Sequence, residues 1–312
     1  MSIIIRIPSG REGYTHVVQQ VMQFGVPRAP RGMRTYDIED VIVEIASPYD
    51  ALPLGVGRAL STRIAAVEAI QLIGGFHDPQ LMTWASPHFA QFREPSGYFY
   101  GAYGARIGTQ VHHVVRKLHS DRDSRQAVIV LWNKSLDNTP NKRDYPCTTS
   151  LMFSVVRNKL RMRTIMRSND VWLGFPYDIF QFTQLQCTIA GIMGIEPGSY
   201  THYAASLHIY ERDLEHAASL RRPVIDMLDK TVHGISTGGV LPTDLWASCV
   251  GGRAIYTSEV TARALQLCYG DLDAPTKSEA WYAGQLSGFK NSEATADVAP
   301  NMDERRPDNG KA

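Results

Sequence analysis

The sequence predicts an α/β (α+β) fold, a mixed β-sheet packed against one long central helix. Three stretches carry this expectation. Residues Ile38 to Ala46 alternate and are rich in β-branched side chains, the pattern of a half-buried strand. Thr149 to Val156 and Leu160 to Ile165 read as two more strands, joined at Arg157-Asn158-Lys159, a sequence suited to a hairpin turn. Phe175 to Met193 is apolar over more than a strand's length and reads as a helix central to the core.

The remaining elements follow in chain order. Tyr14 to Phe24 is a first helix, with His16, Val17, Gln20 and Val21 at helical spacing. Pro27 to Arg34 is a loop by its prolines and glycine, and it carries Arg28, Arg31 and Arg34. Ser61 to Ile73 is a helix ended by Gly74-Gly75, with Glu68 set among Ile64, Val67, Ile70 and Leu72. A carboxylate there is either solvated or a deliberately buried acid. Gly97 to Gly104 is an aromatic, glycine-rich turn. Ile107 to Leu118 is a helix, in which His112-His113 reads as surface, because adjacent helix residues point away from each other. Ala127 to Asn133 is a strand, Tyr200 to Tyr210 is extended, and Glu211 to Leu220 is helical.

The chain has 312 residues, 44% hydrophobic and 20% charged, enough for a full core. It is read as one domain over 1–285 and a flexible polar tail over 286–312. A formal net charge of +1 offers no global field for nucleic acid or a membrane surface. No stretch approaches the ~18 apolar residues of a membrane span. Cys147, Cys187, Cys249 and Cys268 form no CxxC pair, against a zinc site or a disulfide framework. A reducing cytoplasm suits a chain whose key residue is a free thiol. Cys147, behind Pro146 and upstream of Arg167, is a candidate nucleophile, since a thiol attacks as the thiolate and a nearby cation lowers its pKa. The plainer reading is a buried structural cysteine.

The run from Arg167 to Asp178, Arg-Ser-Asn-Asp-Val-Trp-Leu-Gly-Phe-Pro-Tyr-Asp, decides between these. It resembles the nucleotide-binding signature RSxDxxLGxP(F/Y)(N/D) of the thymidylate synthase family, and Pro146-Cys147 stands where that family keeps its nucleophile. Ser124-Arg125, Tyr103-Gly104 and His208-Ile209-Tyr210 resemble further family motifs in the same order, and Glu68 agrees with a helix glutamate. The resemblance implies the family fold, with a sheet face used for dimerisation, and 5,10-methylenetetrahydrofolate as co-substrate. It implies that Cys147 adds to C6 of a pyrimidine nucleoside monophosphate, with Arg167, Glu68 and Tyr103 beside it. Arg28 (with Arg31 as fallback), Arg167, Ser168 and a partner subunit's copy of Arg125 would hold the phosphate. His208 and Tyr210 would hold the sugar, and Asp170 and Phe89 the folate. Two departures stand out: Gln126 replaces a second arginine, and the C-terminus lacks the family's short apolar tail.

The family's usual asparagine is here Asp178. Uracil presents an acceptor at O4 and a donor at N3, which an amide matches. Cytosine presents the reverse, which a carboxylate matches if one proton is shared with N3. Within the family, aspartate marks the deoxycytidylate hydroxymethylases. The expected reaction is dCMP with methylenetetrahydrofolate and water, giving 5-hydroxymethyl-dCMP and tetrahydrofolate. Open alternatives are a CMP hydroxymethylase, a dCMP methylase, a thymidylate synthase on dUMP, and an inactive nucleotide- or RNA-binding relative.

Overall fold

A computed structural model describes residues 3–221, apart from 75–78, 96, 109, 139, 141 and 143. The expected polar tail, Cys249 and Cys268 lie outside the described residues. Among the described residues one sheet runs in the order β1 (Ile3–Ile7), β3 (Thr35–Ile45), β8 (Glu196–Tyr210), β6 (Lys159–Met166), β5 (Thr148–Val156), β4 (Val128–Val130). β2 (Val26–Arg28) pairs with β3, and β7 (Asn169–Asp170) with β8. The sheet is mixed: β1–β3, β6–β8 and β7–β8 are parallel, and the other pairs antiparallel.

The hairpin forms as expected. Val156 pairs with Lys159, and Arg157 and Asn158 both take positive φ, 53° and 58°, the geometry that matches the twist of the strands. The central helix, α7 (Phe175–Ile192), is buried almost all round: Phe175, Ile179, Phe182, Leu185 and Ile189 are inaccessible. Buried polar side chains on it donate to backbone carbonyls, while Gln186 Oε1 has no partner among the described residues. Thr183 Oγ1 donates to the Ile179 carbonyl at 2.7 Å, and Gln186 Nε2 to the Leu160 carbonyl at 2.8 Å, as burial demands.

α1 spans Gly10–Phe24, four residues earlier in its start than the periodicity suggested, because Ser9 caps it by accepting from the Glu12 N–H at 3.2 Å. α2 (Thr62–Gly74) and α3 (Pro79–Ala85) follow β3. The helix expected over Ile107–Leu118 is α5 (Gln110–Ser120), and Ile107 instead ends a separate short helix, α4 (Tyr103–Ile107). Gly108 separates them at φ 33°, a left-handed turn that ends a right-handed helix. The strand expected over 127–133 ladders only at β4, because the N–H groups of Leu131 and Trp132 converge on one carbonyl, that of Thr149. The chain turns there into α6 (Lys134–Asp137), capped by Asn133. The loop expected from Pro27 includes strand β2, and the helix expected from Glu211 is a 3-10 turn followed by α8 (Leu214–Ala218). No helix among the described residues is long and apolar enough to cross a membrane.

Candidate active site

β5 begins beside Cys147, α2 carries Glu68, α4 opens with Tyr103 and α7 brings Asp178 into its first turn. These four side chains line one cleft, with Gln71, Asp144 and Gln181 as polar neighbours and Leu72, Met82, Phe89 and Phe92 as an apolar wall. The sheet and α7 thus assemble residues far apart in sequence.

Cys147 is free and half-buried. Arg167 lies over it: its Nε donates to the Pro146 carbonyl at 3.0 Å, and its Nη2 stands 3.8 Å from Sγ. Burial pushes the Cys147 thiol up to about 11, outweighing the lowering charge of Arg167. At neutral pH the resting group is the thiol, so attack is coupled to loss of its proton.

Tyr103 accepts from the Thr148 N–H at 3.2 Å, and its ring stacks on Phe182 with centroids 5.9 Å apart. Burial, with Cys147 beside it, raises its pKa well above the ordinary value. Glu68 is the deliberately buried kind of acid: burial and then Asp178 push it up to about 8, and its Oε2 has no partner. Asp178 is 8% exposed. Its Oδ2 accepts from Asn169 Nδ2 at 2.7 Å and its Oδ1 from Gln181 Nε2 at 3.1 Å. Burial pushes Asp178 up to about 7, the two amides lower it, and the charge of Asp170 raises it further. Asn169 and Gln181 were not singled out from the sequence. Gln181 is legible in hindsight, three residues beyond Asp178 on one helix. Asn169 sits inside the signature, but only the turn at Gly174 brings it back to Asp178; a Cβ on Gly174 would lie 3.2 Å from both polar atoms.

Asp170, His208 and Tyr210 lie on the neighbouring strands β7 and β8. Register sets Asp170 opposite His208 on β7–β8, and both Arg28 and Tyr210 opposite Thr35. Asp170 Oδ1 accepts from the N–H groups of Trp172 and Leu173 at 2.8 and 2.9 Å, while its buried Oδ2 has no partner. Burial raises its pKa. His208 Nδ1 is 3.8 Å from Asp37 Oδ1, and its ring meets Tyr210 edge-on at 5.5 Å.

The basic residues divide. Arg28 pairs with Glu39 and stands 3.8 Å from Asp37. Arg31, at φ 54° in an exposed turn, is near enough to lower the Cys147 thiol. Ser168 is half-buried next to Arg167. Arg125 is exposed and lies outside the cleft lining. Phe89 forms part of the cleft wall, its ring 6.4 Å from that of Phe92.

The sequence pattern of the family described as Thymidylate synthase matches residues 12–227. The chain is 29% identical over 217 residues to a deoxyuridylate hydroxymethyltransferase of Bacillus phage SP01, covering 64% of this chain and 57% of that enzyme. It therefore spans little more than half the length of that relative. A deoxyuridylate hydroxymethyltransferase of Pseudomonas phage M6 is 26% identical over 242 residues, covering 75% of this chain and 68% of the other. A putative thymidylate synthase of Methanocaldococcus jannaschii is 26% identical over 224 residues, covering 69% and 94%. Among solved structures, a thermostable thymidylate synthase A from Bacillus subtilis matches with a TM-score of 0.59 at 21% identity, over 67% of this chain and 82% of that one. That likeness is one of fold.

Proposed function

The chain belongs to the thymidylate synthase family, and on that premise we propose that it hydroxymethylates C5 of dCMP. The family transfers a one-carbon unit to a pyrimidine nucleotide, with 5,10-methylenetetrahydrofolate as co-substrate. The observation that carries the finer reading is Asp178, a buried carboxyl in the cleft with a donor amide on each oxygen. One oxygen accepts from N4 of cytosine, and the proton that Asp178 holds up to about pH 7 is shared with N3.

The residues divide the work. Cys147 adds to C6, which makes C5 enamine-like and able to take up carbon. Arg167 holds Sγ and offers its free edge to the phosphate, with Ser168 and either Arg28 or Arg31. His208 and Tyr210 meet the sugar. Glu68 and Tyr103, both shifted towards their protonated forms, hold and pass protons at the base. The folate fits the site on two counts: Asp170 Oδ2 is a buried acceptor without a partner, suited to pterin N–H groups, and the Phe89 wall suits a flat heterocycle. When bound, the folate supplies carbon at the oxidation level of formaldehyde. Water then completes a hydroxymethyl group at C5, with no net oxidation.

A second reading, dUMP hydroxymethylation, is favoured by the names of the two phage relatives. A protonated Asp178 donates to O4 and accepts from N3–H of uracil. Mass spectrometry of dCMP, CMP and dUMP incubated with methylenetetrahydrofolate distinguishes these. The expected product is 5-hydroxymethyl-dCMP with tetrahydrofolate. A gain on dUMP alone replaces the cytosine reading, and dihydrofolate absorbance marks a methylase instead.

The phosphate site is read as composite, in a symmetric homodimer, with Arg125 reaching the partner subunit's nucleotide. Mixing Arg125→Ala with Cys147→Ala subunits should then restore up to roughly a quarter of wild-type activity, since one site of each heterodimer collects neither defect. No recovery after verified subunit exchange would refute sharing.

A further inference from the structure

Behind Asp178 lies a polar chain inside the apolar core. Thr164, Tyr200 and His202 are 0% exposed, and Asn169 4%. The Tyr200 hydroxyl is 2.9 Å from Thr164 Oγ1 and 2.9 Å from His202 Nδ1. His202 Nε2 is 3.0 Å from Asn169 Oδ1, and Asn169 Nδ2 is 2.7 Å from Asp178 Oδ2. The chain crosses β6, β8 and β7 and ends on α7.

Proton counting gives it one direction. Burial drives the His202 pKa down to about 3, so the ring is neutral, with one donor and one acceptor nitrogen. An ionised Asp178 only accepts, so Asn169 turns its N–H groups to Asp178 and its oxygen to His202. Nε2 of His202 then carries the ring proton, and Nδ1 accepts from the Tyr200 hydroxyl, which Thr164 steadies. Reversing Asn169 would oppose two acceptors, its own oxygen and the ionised Asp178 carboxylate. The glycine at 174 leaves room for this contact, since a Cβ there would press on both Asn169 and Asp178 at 3.2 Å.

We infer that Asn169, oriented by His202 and Tyr200, is a positioning residue for base selection: it presents a fixed donor to Asp178 and so sets how readily that carboxyl gives up its proton to the pyrimidine. This rests on the reading of Asp178 as the residue that meets the base. Without the Asn169 donor, the charged form of Asp178 loses a hydrogen bond and the neutral acid is favoured. A neutral acid meets cytosine or uracil by moving its proton between its oxygens, so discrimination weakens. The other titratable groups near Asp178 are Glu68, Tyr103 and Cys147 in the cleft, Asp170 on β7 and Tyr200 on β8.

The test is the titration of the Asp178 carboxyl by infrared spectroscopy, its band assigned by its loss in Asp178→Asn. The wild-type midpoint is expected near 7, from the same balance that sets it in the structure. Asn169→Leu should move it up by roughly one unit. Tyr200→Phe, whose missing hydroxyl lies three hydrogen-bond links from Asp178, should move it in the same direction by less. The high-pH limb of kcat/KM should follow, with the dCMP/dUMP preference falling in both variants. A midpoint unchanged in both folded variants overturns the inference, even if their Tm falls. A wild type that turns over dUMP and not dCMP overturns the cytosine reading alone, because the midpoints still report on Asn169.

Discussion

Cys147→Ala is expected to lower kcat by about 10⁴-fold or more while nucleotide Kd stays within about threefold. The reason lies in the separation of tasks. On the proposed reading Cys147 contributes the covalent bond to C6, whereas the phosphate and sugar contacts proposed for Arg167, Ser168, His208 and Tyr210 are made by other side chains. Arg167 keeps its bond to the Pro146 carbonyl without Sγ, so its placement survives the substitution. Single-turnover assays and calorimetric titration of the nucleotide check the two halves. A variant with a tenth of the wild-type rate would remove Cys147 as the nucleophile. Cys187, half-buried on α7 with its thiol pushed up to about 12 by desolvation alone, lies outside the cleft lining, and Cys187→Ala should leave kcat unchanged.

Asp178→Asn should turn base preference towards uracil. Asn169 offers a fixed donor, so the oxygen of the new amide settles there and its NH₂ group faces Gln181, whose amide turns over to accept. The variant then presents one acceptor and one donor in a single arrangement, suited to N3–H and O4 of uracil. One mismatched buried polar contact is worth roughly 1–3 kcal/mol, so kcat/KM for each nucleotide should move by about 5- to 150-fold in opposite directions. The pH profiles should diverge as well. The raised pKa of Asp178, about 7, keeps the shared proton available below that value and loses it as pH rises through it, so wild-type use of dCMP falls across neutrality. The variant has no proton to lose at this position. Glu68, raised to about 8 in part by Asp178, acts on both nucleotides alike and cancels in the dCMP/dUMP ratio of each enzyme. If the dCMP/dUMP ratio does not move towards uracil, Asp178 does not read the base.

These expectations separate what is local in the chain from what is not. The alternation of β3, the positive-φ pair at Arg157-Asn158 and the unbroken apolar length of α7 are written in neighbouring residues, because pleat, turn and helix are each decided over a few positions. The order of motifs around Cys147 and Asp178 pointed to the family for the same reason. Other features depend on residues distant in sequence. β4 stops at Val130 because two N–H groups share the Thr149 carbonyl from another strand. Arg28, set opposite Thr35 on β3, reaches along that strand to Glu39, while the charge of Arg31 acts on the thiol. Above all, the ionisation of the cleft belongs to the tertiary structure. A sequence shows that Arg167 is available to Cys147 and that Asp178 is acidic, but it does not show how much water each loses. Desolvation outweighs the neighbouring cation at Cys147 and holds Asp178 and Glu68 near neutrality. The Asn169–His202–Tyr200 chain likewise exists only once β6, β7, β8 and α7 are packed, because a buried hydrogen bond acquires its direction from every partner at once.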